Sequence, residues 1–431
     1  MIFDAHLDLA LNAIEWNRDL TRPLGEIRAR EAHLRDKPDR GRGTVCLPEL
    51  RRGGIGLVVA TQLARLEHNA YSPVFGWASQ AQAWAMTQAQ WAWYRAMEEL
   101  GEMVQVRDRA GLEHQVALWN GSTESRPTAS AHASPAKACP GQFNATRAQP
   151  RPAQNSLSRS TDAHHHAEGG IYPVWRDSVE PLLNDDVSGS TESCPTQTTE
   201  APRPVGYILS LEGADSLISI KHLERAYEQG LRAVGPAHYG PGVYAQGTDA
   251  SGGFNHRGRD LLREIERLGL ILDVTHLSDD CFWEALELFT GSLWASHHNC
   301  RALVPAQRQL SDEMIKALVQ RDAVIGVAFD AWMLVEGWTR GVTTSEQTGV
   351  SLRHVADHFD HICQVAGDAR HVGIGSDLDG AFGKEQCPLD LESIADLEKL
   401  GVILGERGYG PSDIEGVLAE NFLRFWREAW A

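Results

Sequence analysis

No stretch of this 431-residue chain stays apolar long enough to cross a membrane. The opening residues carry no basic, apolar, small-residue leader and no lipidation signal, so the expectation is a cytoplasmic protein. Positive charge is scarce: 40 Lys and Arg stand against 58 Asp and Glu, a net charge of −18. A chain this acidic is a poor partner for nucleic acid or an anionic bilayer. The seven cysteines include no C-x-x-C pair and no repeated spacing, which argues for reduced thiols. Nor does a glycine-rich phosphate turn follow the first strand-like run, as an open dinucleotide-binding sheet would require. What remains is 42% hydrophobic residues, ample for one large core.

Residues 120–204 differ from the rest. "GSTESRPTASAHASPAKACPGQFNATRAQPRPAQNSLSRSTDAHHHAEGG" is rich in Ser, Thr, Ala and Pro and has no sustained apolar period. It is expected to be a low-complexity, largely disordered insertion, and its run His164–His166 a compositional accident. On either side, over 1–119 and 205–431, short apolar runs alternate with helical patterns. The runs are "MIFDAHLDL", "IGLVVATQL", "VGYILSLEG", "LRAVGPAHY", "GLILDVTHL", "GSLWASHHN", "AVIGVAFDA" and "HVGIGSDLDG". Eight near-continuous apolar strands with helices between them predict an α/β fold, a (β/α)8 TIM-type barrel carrying the insertion. "GWASQAQAWAMTQAQWAWYRAMEELGE" reads as an amphipathic helix with Trp77, Trp84, Trp91, Tyr94 and Met97 on one face. That face packs on the barrel or, as the alternative, forms a homodimer surface. The C-terminal "GPSDIEGVLAENFLRFWREAW" reads as another, capped by Ser412 or Asp413.

Residues able to bind metal fall late in the strands. They are His6 and Asp8 in the first, Glu212 in the third and His238 in the fourth. His276 closes the fifth, His297 and His298 the sixth, and Asp377 and Asp379 the eighth. Singly, each has an ordinary explanation: a hydrogen-bonded core histidine, a Glu-Gly turn, an Asp-x-Asp-Gly loop cap. Jointly they converge, because C-terminal strand ends meet at a barrel's mouth, and residues at i and i+2 share a strand face. Buried charges need partners or metal. Three His and two carboxylates drawn from these suit zinc, with manganese or cobalt as alternatives. Five such ligands exceed the needs of one catalytic ion and point to two sharing a carboxylate.

The pieces "DAHLDL", "SLEGAD", "DVTHLSD", "SHHNCRALVPAQRQLSDE" and "HVGIGSDLDG", with the terminal "LAENFLRFW", resemble the renal (membrane) dipeptidase family in that family's order. The resemblance spans nearly the whole chain outside the insertion. It implies two Zn2+ ions per chain, one on His6 and Asp8, the other on His276 and His297, with Glu212 bridging. It implies a proton-transfer carboxylate at Asp377, a substrate contact at the scissile group from His238, and an arginine, Arg308, gripping the substrate's terminal carboxylate. The reaction it implies is hydrolysis of dipeptides, including those with a D-residue at the C-terminal position. Two other readings stand beside it: hydrolysis of another small amide such as a β-lactam or N-acyl amino acid, and a non-catalytic metal-binding barrel. His298 departs from the small residues usual in the family after this histidine; it either supports the ligands from behind or faces outward, and the outward placement is the expectation.

Overall fold

The computed structural model describes residues 1–67, 75–121 and 202–431, which belong to one compact unit. Each of the eight apolar runs becomes a parallel strand. They are β1 Ile2–Leu7, β2 Ile55–Leu63, β3 Val205–Glu212, β4 Leu231–Gly235, β5 Ile271–Asp273, β6 Leu293–Trp294, β7 Ile325–Val327 and β8 Val372–Ile374. The order runs β7-β8-β1-β2-β3-β4-β5-β6, and a parallel bridge from Ala295 to Ile325 brings the ring to near closure. This is the expected TIM-type barrel. A short ninth strand, Met103–Gln105, also pairs with β3. The proposed insertion lies outside the described residues from 122 to 201, and His164–His166 with it.

Strand alternation separates two cores and prepares the site. Val58, Ala60, Leu209, Leu211, Val234 and Leu272 face the surrounding helices. Leu57, Val59, Ile208, Ala233, Ile271 and Trp294 fill the barrel with Phe422, Phe425 and Trp426 from the C-terminal helix. Those inward faces turn polar towards the C-terminal ends of the strands. Leu57 and Val59 give way to Thr61, Ile208 to Ser210 and Glu212, Ile271 to Asp273, and Trp294 to Ser296. A dry plug thus fills one end of the barrel and a polar cup the other. The seam between β6, β7 and β8 is tight enough to require glycine. A Cβ on Gly326 or Gly375 would lie 1.9 or 1.8 Å from the Ser296 carbonyl oxygen.

The helices α1 Gln80–Glu99, α2 Ile220–Glu228, α3 His256–Arg267, α4 Asp279–Leu288, α5 Asp312–Gln320, α6 Leu352–Ala366 and α7 Asn421–Ala429 follow the periodic stretches closely. Side-chain caps begin several of them, as where Ser278 accepts from Cys281 N and Ser311 from Met314 N.

Two expectations change. The tryptophan stripe is not the buried face of α1. Trp77 precedes the helix, Trp84 and Trp91 are half-buried, and Ala83, Thr87, Gln90, Tyr94 and Met97 point inward. Specific polar contacts decide that rotation. Gln90 pairs with both the peptide N and O of Leu63, and the Tyr94 hydroxyl donates to Thr61 O at 3.0 Å. The terminal segment starts at Pro411 with Gly410 as its N-cap, since proline is favoured at the first helical position. It then loosens into a π-turn over Gly416–Glu420 before α7. Asn421 there donates to the carbonyls of Ala369 and Val372, tying α7 to the start of β8.

Candidate active site

The strand ends deliver their polar residues to one cavity of about 370 Å³, lined by Asp8, Glu212, His238, His276, Arg308 and Asp377 among others. β1 carries an irregularity between Asp4 and Leu7. His6 and Asp8 turn inward there while Leu7 packs in the outer core. Glu212 lies between two groups of ligand atoms. Its Oε1 is 3.1 Å from His276 Nε2 and 3.3 Å from His297 Nε2, and its Oε2 is 3.6 Å from His6 Nε2. His6 Nε2 is also 3.9 Å from Asp8 Oδ2 and 3.8 Å from Asp377 Oδ1. Three overlapping groups could each hold a cation: His6, Asp8 and Glu212; His6, His297 and Asp377; and Glu212, His238 and His276.

The electrostatics show why a cation suits this cup. Burial pushes the Glu212 carboxyl well above its ordinary range and raises Asp377 to about 8. Burial alone would depress His6, but the carboxylates of Glu212, Asp8 and Asp377 outweigh it and hold the imidazole near 10. Burial, with Arg308 nearby, lowers His276 and His297 well below the usual value, so both stay neutral, the form in which an imidazole coordinates, and their Nε2 atoms lie 3.2 Å apart. His6 Nε2 and Asp8 Oδ1 are buried without a hydrogen bond to any described residue. Buried atoms of this kind, facing Glu212, His276 and His297 from strands far away in sequence, fit metal ions of the zinc type.

Hydroxyls aim the imidazoles. Thr248 Oγ1 is 2.8 Å from His276 Nδ1, Ser296 Oγ is 2.9 Å from His297 Nδ1, and Thr61 Oγ1 is 3.5 Å from His6 Nδ1. Each contact leaves Nε2 facing the cup, the arrangement expected around ligating histidines. Arg308 is 3% exposed and donates from Nη2 to His297 O at 2.9 Å. Its Nε and Nη1 make no hydrogen bond to the described residues. His238 lies beside His276, with ring centroids 4.6 Å apart and planes tilted by 53°, and its imidazole is held neutral by burial and the neighbouring Arg65.

Asp379, named with Asp377 as a mouth residue, turns away. Its carboxylate accepts from Thr44 N, Thr44 Oγ1 and Val45 N, because the left-handed backbone at Asp377 and Asp379 reverses the loop between them. His298 is buried, not outward-facing: its peptide N donates to Gly326 O across the barrel seam, which folds the turn inward. Asp330 and Arg340 were missed. Asp330 accepts from Gln386 at 2.7 Å and from Arg340 at 3.0 Å on the cavity wall. Asp330 lies late in the seventh apolar run, as the other acidic residues do in theirs, so that signal was present. Arg340 had none.

The sequence profile of the membrane dipeptidases, peptidase family M19, matches residues 183–431. The chain belongs to this family of metallopeptidases. An uncharacterized dipeptidase of Schizosaccharomyces pombe is 27% identical over 229 residues, 51% of this chain and 53% of that protein. The chain thus spans about half the length of that relative. The fold matches a crystal structure of a dipeptidase of family M19 at a TM-score of 0.65 and 20% identity, covering 100% of this chain and 98% of the other. It equally matches a metallopeptidase from Rhodobacter sphaeroides liganded with a phosphinate mimic of L-Ala-D-Ala, at a TM-score of 0.65 and 19% identity, covering 100% and 99%. Among the described residues no helix is long and apolar enough to cross a membrane.

Proposed function

We propose that the protein is a dinuclear zinc dipeptidase that cleaves the peptide bond of free dipeptides. The carrying observation is a small cavity with a shared carboxylate between two histidine-containing groups and, in its wall, a buried arginine whose Nε and Nη1 have no partner among the described residues. His6 and Asp8 would hold one ion, His276 and His297 the other, and Glu212 both. Such ions, when bound, lower the pKa of water and polarise a carbonyl.

The remaining roles belong to the chain. Arg308 offers the N–H groups of its guanidinium, with Nε and Nη1 unbonded among the described residues, to the substrate's terminal carboxylate. The neutral His238 imidazole donates to the oxygen that becomes negative during attack. Asp377 accepts the proton of the attacking water and passes it to the leaving amine. Burial raises its basicity and neighbouring cations act the other way, which places it between a strong acid and a strong base. The ligand of the Rhodobacter sphaeroides protein extends the proposal to dipeptides with a D-residue in the second position.

A panel of L,L and L,D dipeptides assayed on metal-quantified protein tests the reading. Turnover that disappears on chelation and returns with zinc is expected. Two bound ions without turnover of any dipeptide would favour the non-catalytic barrel. Arg308→Met is expected to lower kcat/KM for dipeptides about 100-fold, mostly through KM. The corresponding dipeptide amides, which lack the carboxylate, should be cleaved equally slowly by both proteins. An unchanged KM would instead favour a substrate without a free carboxylate.

A further inference from the structure

Two aspartates outside the ligand set occupy equivalent places on opposite sides of the cup. Asp4 and Asp273 are both buried. Asp4 Oδ1 accepts from His6 N at 3.2 Å and from Ser376 N at 2.9 Å, and its Oδ2 accepts from the Ser376 hydroxyl. Asp273 Oδ1 accepts from Thr275 N at 3.0 Å and from Ser296 N at 3.1 Å. Each carboxylate therefore bonds the peptide two or so residues ahead on its own strand and a serine peptide on the neighbouring strand. The bonded residues are His6 itself or the direct predecessors of Asp377, His276 and His297. Asp4 joins the ends of β1 and β8, and Asp273 joins those of β5 and β6.

The pinned backbone is also strained. His276 has φ +67° and Asp377 φ +57°, a left-handed conformation that non-glycine residues hold only when neighbours over-determine it. Each lies directly after a pinned residue, Thr275 or Ser376. The clasp at β5 and β6 reaches further, since Thr275 Oγ1 lies 3.3 Å from Ser296 Oγ, and Ser296 Oγ in turn contacts His297 Nδ1.

We infer that Asp4 and Asp273 are a matched pair of positioning residues, each setting the metal affinity of its own half of the centre. Asp4 governs the half built on His6 and Asp8, and Asp273 the half built on His276 and His297. The inference rests on the two-ion reading above. At both positions one side-chain oxygen must accept two peptide N–H groups in a dry site, and at Asp4 the second oxygen must also accept the Ser376 hydroxyl.

Zinc titration of the metal-free protein against a competing chelator provides the test, with apo-protein melting measured alongside. Wild type should bind two equivalents. Asp273→Ala should weaken one equivalent about 10- to 100-fold and leave the other within about threefold, the range seen when a partner of a ligating group is removed. Asp4→Ala should weaken the opposite equivalent. Combination with His276→Gln identifies the half: Asp273→Ala should add almost nothing to it, and Asp4→Ala its full effect. Asp273→Asn keeps the Oδ1 acceptor and should stay within about threefold of wild type, whereas Asp4→Asn sets an amide against Ser376 and should lose about tenfold at its own half. That asparagine contrast carries the prediction if the alanine variants do not fold. Uptake of one ion by wild type would overturn the two-ion reading and the division into halves with it. Two ions in wild type, but equal weakening of both in each variant in step with a falling apo melting temperature, would overturn the clasps alone.

Discussion

Glu212→Gln is expected to abolish hydrolysis while leaving the barrel folded. The substitution keeps the side chain's size in a position that is 8% exposed, so packing is preserved. What it removes is charge. One carboxylate oxygen faces His276 and His297 at 3.1 and 3.3 Å, and the other faces His6 at 3.6 Å. A carboxamide presents one neutral oxygen and one N–H group, so it cannot serve both sides. The N–H would also point at imidazole nitrogens whose lone pairs the proposed ions require. We expect kcat/KM to fall at least about 1,000-fold, or about 4 kcal/mol of transition-state stabilisation. Metal content under mild chelation should drop to one equivalent or fewer, with circular dichroism unchanged. Full activity with two tightly held ions would remove Glu212 from the centre.

Much of this centre was readable in advance because barrel strands advertise themselves. Buried on both faces, they appear as near-continuous apolar runs, and all eight became strands. A histidine or carboxylate at the end of such a run stands out against its surroundings, which is why His6, Glu212, His276 and His297 were identifiable. Residues whose roles depend on distant partners gave no comparable signal. Thr61 reaches His6 across 55 positions, and Thr248 reaches His276 across 28. A threonine in an apolar strand, or in a loop, is locally unexceptional. Asp379 and His298 were misplaced for a related reason. A left-handed residue or a seam hydrogen bond redirects a side chain, and no periodicity records it. The tryptophans of α1 show the same limit, since Gln90 and Tyr94 set the helix rotation through bonds to β2.

Arg18 is where the largest loss of stability is expected. Its side chain is almost wholly buried among three buried carboxylates. Nε and Nη2 bond Glu31 at 3.0 and 3.2 Å, Nη2 also bonds Asp39 at 2.7 Å, and Nη1 lies 3.5 Å from Asp379. Burial alone would lower its pKa, but these carboxylates raise it further above the ordinary range, so the guanidinium stays charged. Its Nη1 also bonds Asn12 Oδ1 at 2.7 Å. Asn12 Nδ2 in turn donates to Asp8 O and Asp379 O, so one arginine supports the loops that carry both Asp8 and Asp377. Arg18→Met would fill most of the volume but leave Asp39 and Asp379 without their cation, while Glu31 keeps Arg40. Removing one partner from a buried ionic cluster costs about 3–5 kcal/mol. Over the ordered part of a chain this long, that lowers the apparent melting temperature by on the order of 5 °C. Arg18→Lys should not restore it, because a single ammonium cannot reproduce the fork to Glu31 and still reach Asp39 and Asn12. Thermal melts of the metal-free protein check the loss directly. Zinc affinity should fall in the same variant, since Asp8 and Asp377 lose their shared support. A methionine variant that melts within a degree of wild type would show that the three carboxylates are accommodated without the arginine, and would remove it as the support of that side of the cup.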